Sequence, residues 1–534
     1  MSFEVTGAAP GIVPEARRLI AAARQAFPGG SRPAALLGDC ARRLDQPLRV
    51  ALAGQLKAGK STLLNALVGQ DIAPTDATEC TRMVTWYRHG AAPRVTARAA
   101  DGAAADVVVR RRPGADGLPG AHGLGFDLSA LRWNSRGPHE VDHLEVDWPA
   151  TALSRTTIID TPGTSSLSRE VSRRTARLLT PDDAAATPLP GADAVVYLLR
   201  RLDAADVSFL DRIGTGGEAR QGVSGSPLGV IGVVSRADEI GAGRIDALHS
   251  ARDVAARFSG ELERTGLCQA VIPVAGLLAY AAATLRQREF DAFAALAAVP
   301  VDRLTAALLS ADRFASPEPP LPISPELRAH LAARFGLFGI RLAVTLVRLG
   351  ARDSATLAAE LSRRSGLDEL RSVLDVQFAQ RADQLKAHSA LTALARVLAA
   401  HPGTPADHLL PRVRALLADV HGFAELRLLG RLRTDELPLP ADDLTELHRL
   451  LGGSGIAPHL RLGLPADADP ATLRAEAAAA VHRWRARARH PLADRSTADA
   501  CLTAARSAEG VVELLRDPPT TPLARISPPR PLSH

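Results

Sequence analysis

The sequence predicts an α/β domain with a doubly wound, mostly parallel sheet, preceded by N-terminal helices and followed by an all-helical region. Short apolar runs alternate with helical stretches between residues 48 and 274, a pattern typical of parallel strands buried on both faces. Beyond about residue 300 the strand signal ends, and Ala-, Leu- and Arg-rich helical sequence broken by Pro and Gly clusters follows. Hydrophobic residues make up 46% of the chain and charged residues 23%, which excludes a wholly disordered chain.

The predicted elements begin with two helices in residues 14–45, where apolar side chains recur at helical spacing on both sides of a Pro/Gly break. Residues 48–54, LRVALAG, form a short apolar run that ends in glycine and indicates a buried strand. Residues 61–69 predict a helix that closes on Gly69. The further predicted strands are residues 82–90, 93–99, 106–111, 143–149, 156–160, 193–199, 229–234 and 270–274.

A chain of 534 residues is long enough for more than one domain of ordinary size. The same pattern divides it into four parts. We expect N-terminal helices in residues 1–48 and the α/β domain in residues 49–300. A helical domain is expected in residues 301–516, and a disordered, proline-rich tail in residues 517–534.

Cysteine usage and the lack of a long uninterrupted apolar segment predict a cytoplasmic protein. The cysteines have no metal-binding or disulfide-framework spacing; they are Cys40, Cys80, Cys268 and Cys501. Pro273 and Gly276 interrupt the uncharged run 265–285, and the N-terminus has no secretory signal pattern, so we expect no transmembrane helix. A net charge of +6 is compatible with an anionic membrane surface. The basic run 110–113 is too short for a nucleic-acid site.

The most specific local signal is a phosphate loop between the first predicted strand and the next helix. Gly54 and Gly59 allow the backbone to curl so that its N–H groups point at phosphate oxygens. Lys60 is the predicted catalytic cation on the β- and γ-phosphates, and Ser61 offers a hydroxyl to Mg²⁺. The predicted nucleotide-binding residues of this segment are Gly54, Gln55, Leu56, Lys57, Ala58, Gly59, Lys60, Ser61 and Thr62.

A second motif indicates the class of nucleotide. The run IIDTPG (158–163) places Asp160 at the end of an apolar strand and Gly163 three residues later, the D-x-x-G arrangement of GTPases. We expect Asp160 to hold Mg²⁺ through a water molecule and the Gly163 N–H to sense the γ-phosphate. An ATPase is the nearest alternative, and the DTPG sequence stands where an ATPase would carry an acidic pair.

A third motif predicts that the base is guanine. The run VVSRAD (233–238) ends an apolar strand with Ser235-Arg236-x-Asp238, where GTPases usually carry Asn/Thr-Lys-x-Asp. Asp238 is expected to accept hydrogen bonds from the N1–H and the exocyclic amine of guanine, a pair of donors that adenine does not present. The aliphatic stem of Arg236 is expected to lie along the base.

Two further predictions complete the site. The strand and turn in residues 270–278 are expected to bring the backbone of Ala275 and Gly276 to the base. A threonine from the loop before the second strand is expected to bind Mg²⁺ when the γ-phosphate is present. The candidates are Thr75, Thr78 and Thr81, of which we favour Thr81 as metal ligand and catalytic residue because it directly precedes the strand at 82–90.

Taken together, these motifs make the chain resemble the bacterial dynamin-like GTPases. The phosphate-loop, DTPG and Ser-Arg-x-Asp motifs are common to many GTPase families, whereas the segments 73–90 and 334–388 are more particular to this one. The residues that carry the resemblance are 54–90, 160–167, 232–247, 269–278, 334–344, 365–388 and 485–492.

The resemblance implies a P-loop GTPase domain on a helical neck and trunk, with the N-terminal helices completing the neck. It implies GTP and GDP as ligands, Mg²⁺ as cofactor, self-association through the GTPase faces, and action alongside a sister dynamin-like protein. The implied role is membrane remodelling, in cell-envelope stress and drug tolerance. The expected location is cytoplasmic, peripherally bound to anionic lipid of the inner membrane, without a nucleic-acid partner.

Departures from the family pattern bear on hydrolysis. Dynamins often carry a Gln-Ser pair inside the phosphate loop, where this chain has Leu56 and Lys57. Lys57 is our candidate for the compensating positive charge, and hence a third catalytic residue, while the group that positions water is unidentified. The helical part is also short for a dynamin trunk. A second hypothesis therefore stays open, namely a nucleotide-gated regulatory partner of a sister dynamin-like protein with little turnover of its own.

Overall fold

The chain forms two compact units, Met1–Glu436 and Leu437–His534. The computed structural model describes residues 12–74, 83–99, 102–113, 122–128, 141–163, 191–215, 229–240, 246–263, 268, 270–318, 320–419, 421–432 and 437–515. The predicted tail 517–534 lies outside the described residues. The sheet and the phosphate loop both belong to the first unit.

Eleven strands lie within the described residues. They are β1 (Leu48–Gly54), β2 (Val84–His89), β3 (Arg94–Ala99), β4 (Ala104–Asp106), β5 (Val108–Pro113), β6 (His122–Asp127), β7 (Val141–Trp148), β8 (Thr156–Asp160), β9 (Ala194–Leu199), β10 (Val230–Ser235) and β11 (Ala270–Val274). Nine of them form one sheet in the order β11-β10-β9-β1-β8-β2-β7-β3-β4, and β5 pairs with β6 in a second, antiparallel sheet.

The central strands of the large sheet are parallel, which confirms the predicted fold class. Strands β8, β1, β9, β10 and β11 run in one direction, and β1, β9 and β10 are buried almost throughout. The apolar side chains of these strands are therefore covered by other parts of the protein on both faces of the sheet. Because parallel strands end at the same edge, this sheet brings Gly54, Asp160 and Ser235 to one side of the domain.

The antiparallel edge of the sheet departs from the predicted strands. The single strand predicted at 106–111 is wrong, because β4 ends at Asp106 and β5 begins at Val108 in a different sheet. Between them Val107 is buried and its N–H donates to Val95 O at 2.8 Å, whereas Val108 is exposed. Strand β6 was not predicted, since its sequence HGLGFD contains glycines, which are uncommon in strands.

Fifteen α-helices of the first unit lie within the described residues. Five precede β11: α1 (Ile12–Gln25), α2 (Arg32–Asp45), α3 (Lys60–Val68), α4 (Ala204–Thr215) and α5 (Ala247–Glu263). After β11 come α6 (Gly276–Ala283), α7 (Gln287–Ala297), α8 (Val301–Ala307), α9 (Ala311–Ala315), α10 (Pro325–Arg348), α11 (Ser354–Arg363) and α12 (Leu367–Leu374). A π-helical turn (Asp375–Ala379) precedes α13 (Ala382–Ala400), α14 (Leu409–Asp419) and α15 (His421–Arg431). The two predicted N-terminal helices and the helix that ends at Gly69 are confirmed.

Packing in the first unit is continuous across residue 300. Phe293 before this position and Leu304 and Phe335 after it belong to one hydrophobic core. Helix α12 packs with the sheet core, and α1 and α2 share a third core with α13 and α14. The N-terminal helices are thus held by helices from the later part of the chain, and the boundary at 300 stays a prediction.

Helix α10 is the one helix among the described residues that is long and apolar enough to cross a membrane by length and composition, with a mean hydropathy of 1.4. However, 56% of its apolar window is buried inside the protein. The helix is broken at Gly336 (φ 63°, ψ 173°), and Phe335 and Phe338 pack in the core of α6–α11. A core helix meets the same length and composition criterion.

The second unit is helical: α16 (Ala441–Leu450), α17 (Pro458–Leu462), α18 (Pro470–Ala488) and α19 (Arg495–Leu514). Its arginine-rich helix α18 is paired within the unit. Trp484 is fully buried and donates to Glu446 at 3.1 Å, and Arg483 binds the same carboxylate at 2.7 Å. Arg487 pairs with Asp443 at 2.5 Å. These arginines are therefore neutralised by carboxylates of α16.

Candidate nucleotide-binding site

The phosphate loop, residues 55–59, joins the end of β1 to the start of α3. Its backbone turns left-handed at Lys57 (φ 62°) and Gly59 (φ 91°). Gly54 has a φ of 143°, and a Cβ on it would lie 2.5 Å from the carbonyl oxygen of Leu198 on β9, so only glycine fits there. The turn leads into α3, whose first N–H groups and positive dipole end are available to an anion. This geometry can cradle a phosphate.

Lys60 is held at the base of this loop. Its side chain is buried, and Nζ donates to the carbonyl oxygens of Gly54 at 3.1 Å and Gln55 at 3.0 Å. Burial lowers the pKa of Lys60, and the nearby charge of Asp160 opposes this effect. An ammonium group carries three donors, so these two bonds position Lys60 and leave a donor for a phosphate oxygen.

Ser61 and Asp160 lie side by side next to the loop. The Ser61 hydroxyl donates to Oδ2 of Asp160 at 2.7 Å. Burial raises the pKa of Asp160, while Lys60 and the bond from Ser61 counteract the rise. Within the described part of the chain, no hydrogen-bond donor reaches the buried Oδ1 of Asp160.

This pair fits a magnesium ion. A hydroxyl and a carboxylate with an unpaired oxygen are hard oxygen ligands, and Mg²⁺ usually takes only one or two protein ligands beside substrate phosphates and water. Among the described residues there is no group of three or more His, Cys, Asp or Glu side chains that could hold a metal ion by themselves. Ser61 and Asp160 are therefore suited to an ion that arrives with a nucleotide.

The chain after β8 lies directly on the phosphate loop. Thr161 donates twice to the Leu52 carbonyl, from its N–H at 3.2 Å and from Oγ1 at 2.8 Å. A Cβ on Gly163 would lie 2.8 Å from both N and Cα of Leu56, so a larger residue would displace one of the two segments. The structure thus brings the predicted γ-phosphate sensor into contact with the loop.

Gln55 ties the loop to the start of α4, a contact that the motifs do not predict. Its side-chain amide donates to Asp203 at 2.9 Å and to Asp206 at 3.1 Å. Asp206 is buried and also accepts from the Tyr197 hydroxyl at 2.7 Å. The signal was present in the sequence, because Asp203 and Asp206 closely follow the end of β9 at the same sheet edge.

An open cleft with an empty volume of about 520 Å³ extends from the phosphate loop towards β10 and β11. Residues predicted from three separate segments line it: Gly59, Thr62, Ser235, Arg236, Asp238 and Gly276. By contrast, Leu56 and Lys57 point to solvent at the outer side of the loop, and Leu56 is 53% exposed.

The segment after β10 is shaped to present Asp238. The Ser235 hydroxyl is buried and donates to Leu199 O at 3.2 Å. Arg236 is left-handed (φ 53°), and its guanidinium pairs with Glu239 at 2.6 Å. Because Glu239 holds the guanidinium group of Arg236, the aliphatic part of this side chain is available to pack against a flat base.

Asp238 is buried in the cleft wall without a donor on one of its oxygens. It is 6% exposed, and no donor within the described residues reaches Oδ1. Burial raises its pKa from 3.8 to about 6; Glu239 adds to the rise, and the backbone bond and Arg236 oppose it. Keeping this carboxylate ionised therefore destabilises the free protein by about 3 kcal/mol above pH 6. A ligand that supplies two N–H donors, as guanine does, would relieve that cost.

The turn between β11 and α6 is fixed from outside the sheet. The Ala275 N–H donates to Ser365 O at 2.9 Å, so it is not free for a base. Gly366 (φ 79°) packs so closely that a Cβ on it would lie 2.2 Å from Pro273 O. Of the two predicted backbone contacts in this turn, the structure places Gly276 on the cleft and Ala275 behind it.

Thr75, Thr78 and Thr81 all lie outside the described residues. The assignment of Thr81 to Mg²⁺ and catalysis therefore stays a prediction.

Comparison with known proteins finds relatives over most of the chain. The family model described as Dynamin family matches residues 50–204. The isoniazid-induced protein IniC of Mycobacterium tuberculosis, strains CDC 1551 and H37Rv, is 53% identical over 471 residues, which is 88% of this chain and 91% of the relative. The chain belongs to the dynamin family. The resemblance to bacterial dynamin-like GTPases drawn from the motifs is thereby confirmed.

Two further comparisons are more distant, one by the short length that it matches and one by its low identity. A bacterial dynamin-like protein of Nostoc punctiforme is 43% identical over 54 residues, 10% of this chain and 8% of that protein. A solved structure from work on an oligomerised bacterial dynamin pair, concerned with long-range sensing and tethering of membranes, covers 94% of this chain and 79% of its own. It is 13% identical, with a TM-score of 0.31.

The raised pKa of Asp238 predicts how this dynamin-like protein responds to pH. Only the carboxylate accepts both guanine donors, so GDP affinity is expected to fall as the pH drops through about 6. Among the residues that the structure describes, Glu239 and Arg236 are the charged groups that act on Asp238. GDP titrations between pH 5 and 8 would measure the effect.

Asp238→Asn provides the control for this pH profile, because its amide does not titrate and the phosphates of GDP titrate equally with both proteins. The ratio of wild-type to variant affinity should therefore decline below pH 6. A ratio that does not change with pH would contradict the role of Asp238.

Proposed function

We propose that this dynamin-family protein binds and hydrolyses GTP with Mg²⁺ and remodels membranes as a peripheral protein at the cytoplasmic face of the inner membrane. The observation that carries the nucleotide part is the cleft that joins the phosphate loop to the carboxylate of Asp238, whose Oδ1 has no donor among the described residues. A role in envelope stress or drug tolerance is supported by the 53% identity to a protein named for its induction by isoniazid.

In this proposal each group of residues in and beside the cleft binds a different part of the nucleotide and its metal ion. Residues 54–62 bind the phosphates through backbone N–H groups and through Lys60, while Asp238 and the stem of Arg236 bind guanine. Ser61 and Asp160 would hold Mg²⁺, which when bound neutralises charge on the β- and γ-phosphates. Gly163 would detect the γ-phosphate from its position against the phosphate loop. Lys57, exposed on that loop, would supply the compensating cation.

Thr81 is proposed to complete the Mg²⁺ site only when the γ-phosphate is present. Thr81→Ala should therefore leave GDP affinity unchanged and slow GTP turnover by about tenfold or more. Turnover and GDP titration of the same preparations would measure both quantities.

Thr75→Ala and Thr78→Ala serve as matched controls from the same loop. They are expected to turn over GTP like the wild type. If Thr81→Ala also turns over GTP like the wild type, Thr81 is not the threonine that binds Mg²⁺ during hydrolysis.

Leu56 favours a second candidate function, a nucleotide-gated regulatory partner of a sister dynamin-like protein. An apolar side chain that is 53% exposed on the phosphate loop offers no group to position water. In that case the protein would bind GTP, self-associate through its GTPase face and affect the turnover of the sister protein rather than its own.

Vesicle experiments test the membrane part and separate the two candidates. With a net charge of +6, the protein should co-sediment with anionic liposomes at low salt and dissociate from them at high salt. It should bind little to neutral vesicles. GTP should strengthen sedimentation, because assembly multiplies weak contacts. GTP turnover should be higher with these anionic liposomes than without them.

Two results would decide against the remodelling role. One is a protein that stays in the supernatant with anionic vesicles in every nucleotide state, also beside its sister protein. The other is GTP binding without turnover unless the sister protein is added, which would support the regulatory candidate.

A further inference from the structure

Helix α10 breaks at Gly336, beside the base end of the cleft. Gly336 has φ 63° and ψ 173° inside an otherwise helical segment, a conformation that is essentially restricted to glycine. Apart from atoms of its own helix, the one described atom within 4 Å of a Cβ built on Gly336 is Oδ2 of Asp238, at 3.7 Å. The break therefore brings the backbone of a distant helix against the carboxylate that faces the base.

Both residues before the break are firmly anchored. Arg334 donates to the carbonyl and the hydroxyl of Thr284, at 3.0 and 2.9 Å, and pairs with the buried Glu289 at 2.8 Å. Phe335 packs edge to face on Phe293, with ring centroids 5.0 Å apart. The position of the break is thus fixed by an ion pair, two hydrogen bonds and an aromatic contact.

The same anchors connect the break to α6, which forms another part of the cleft wall. Helix α6 starts at Gly276, which lines the cleft, and Thr284 directly after its end is the residue that Arg334 binds. After the break, a Cβ on Gly339 would lie 3.1 Å from Leu278 of α6. Helices α6 and α10 are therefore packed together, and α6 contributes Gly276 to the cleft.

We propose that Gly336 is a specificity-determining positioning residue of the guanine site, which lets α10 pack its bare backbone against Asp238 and hold this carboxylate towards the base. The proposal rests on the proposed function, in which Asp238 reads guanine. Oδ2 lies 3.7 Å from the position that a Cβ on Gly336 would occupy, and Oδ1 has no donor within the described residues. The break thus lies next to the carboxylate that is proposed to accept the two donors of guanine.

Alanine at position 336 would disturb this arrangement through the backbone. Its methyl group has room, because 3.7 Å is an ordinary van der Waals distance. The left-handed, extended conformation at Gly336, however, is strained for any residue with a Cβ. Relief of that strain shifts the break relative to Asp238. The phosphate loop should keep its geometry, because Lys60 is held there by the carbonyls of Gly54 and Gln55.

The test compares ribose-labelled GDP with ribose-labelled IDP, whose base lacks the exocyclic amine. Wild type should bind GDP about tenfold more tightly than IDP, the effect typical of one hydrogen bond to a charged group. In Gly336→Ala this preference should fall to about twofold or less, because GDP loses both hydrogen bonds to Asp238 and IDP loses only the one from N1–H. A variant that loses affinity for both ligands equally would show a structural role only and overturn the proposal.

Gly350→Ala is the matched control, because Gly350 follows α10 with a φ of 112° and no described atom lies within 4 Å of its Cβ position. It carries the same kind of backbone strain and should keep the full GDP preference. If Gly336→Ala does not fold, Arg334→Lys, which loses the paired contacts to Thr284 and Glu289, should reduce the preference in the same direction; an unchanged ratio would overturn the proposal. No GDP preference in the wild type would instead overturn the guanine assignment itself.

Discussion

Replacing Lys60 with alanine is expected to abolish GTP and GDP binding. Lys60 is the buried cation at the base of the phosphate loop, and its ammonium group is already oriented by the carbonyls of Gly54 and Gln55. Charge-assisted bonds to two phosphate groups make its loss worth about 100-fold or more in affinity. Titration of a ribose-labelled GTP analogue with folded Lys60→Ala would measure it, and binding as tight as wild type would refute the phosphate site.

Lys386→Ala is the matched control for this variant. Lys386 is also a lysine that donates to a main-chain carbonyl, Leu44 O at 3.1 Å, but it lies on α13 and away from the cleft residues. Its loss should lower the thermal unfolding midpoint and leave GTP affinity intact. Equal loss of binding in both variants would mean that Lys60 acts through stability.

Replacing Asp238 with asparagine is expected to exchange guanine for xanthine as the preferred base. The Asp238 carboxylate accepts two donors from guanine, whereas an amide accepts one and donates one, which matches N1–H and the 2-carbonyl of xanthine. The GTP-to-XTP affinity ratio should therefore shift by about 100-fold or more. Competition of GTP and XTP against a labelled nucleotide gives the ratio directly.

Glu239→Gln separates this effect from a general change of charge. Glu239 is the neighbouring carboxylate, but it is paired with Arg236 at 2.6 Å and Arg200 at 3.2 Å. The ratio should stay close to that of the wild type. If Asp238→Asn also leaves the ratio unchanged, another group reads the base.

Much of the fold and the phosphate end of the site could be predicted because the signals are local. The apolar composition of LRVALAG by itself predicts a buried strand. The loop from Gly54 to Ser61 is recognised by glycine and lysine at fixed spacing. The register of parallel strands then brings Asp160 beside Ser61, at 2.7 Å. The first two inferences use residues within one element, and the third needs only the rule that parallel strands end at the same sheet edge.

The remaining contacts join segments far apart in the chain, and they leave no periodic signal. Gly336 looks like a tolerated glycine in an apolar helix, and its contact with Asp238 depends on the packing of α10 against α6. The bonds from Gln55 to Asp203 and the close approach of Gly366 to Pro273 arise in the same way. Tertiary packing determines these positions, and local composition does not.

Displacement of a ribose-labelled GDP from the wild-type protein by GTP and by ATP, in Mg²⁺ buffer, tests the central claim most directly. The claim is that one cleft binds phosphates at the loop of Lys60 and reads guanine at Asp238. It predicts that GTP displaces the label at concentrations at least about 100-fold lower than ATP does. Equal displacement by the two nucleotides would contradict it.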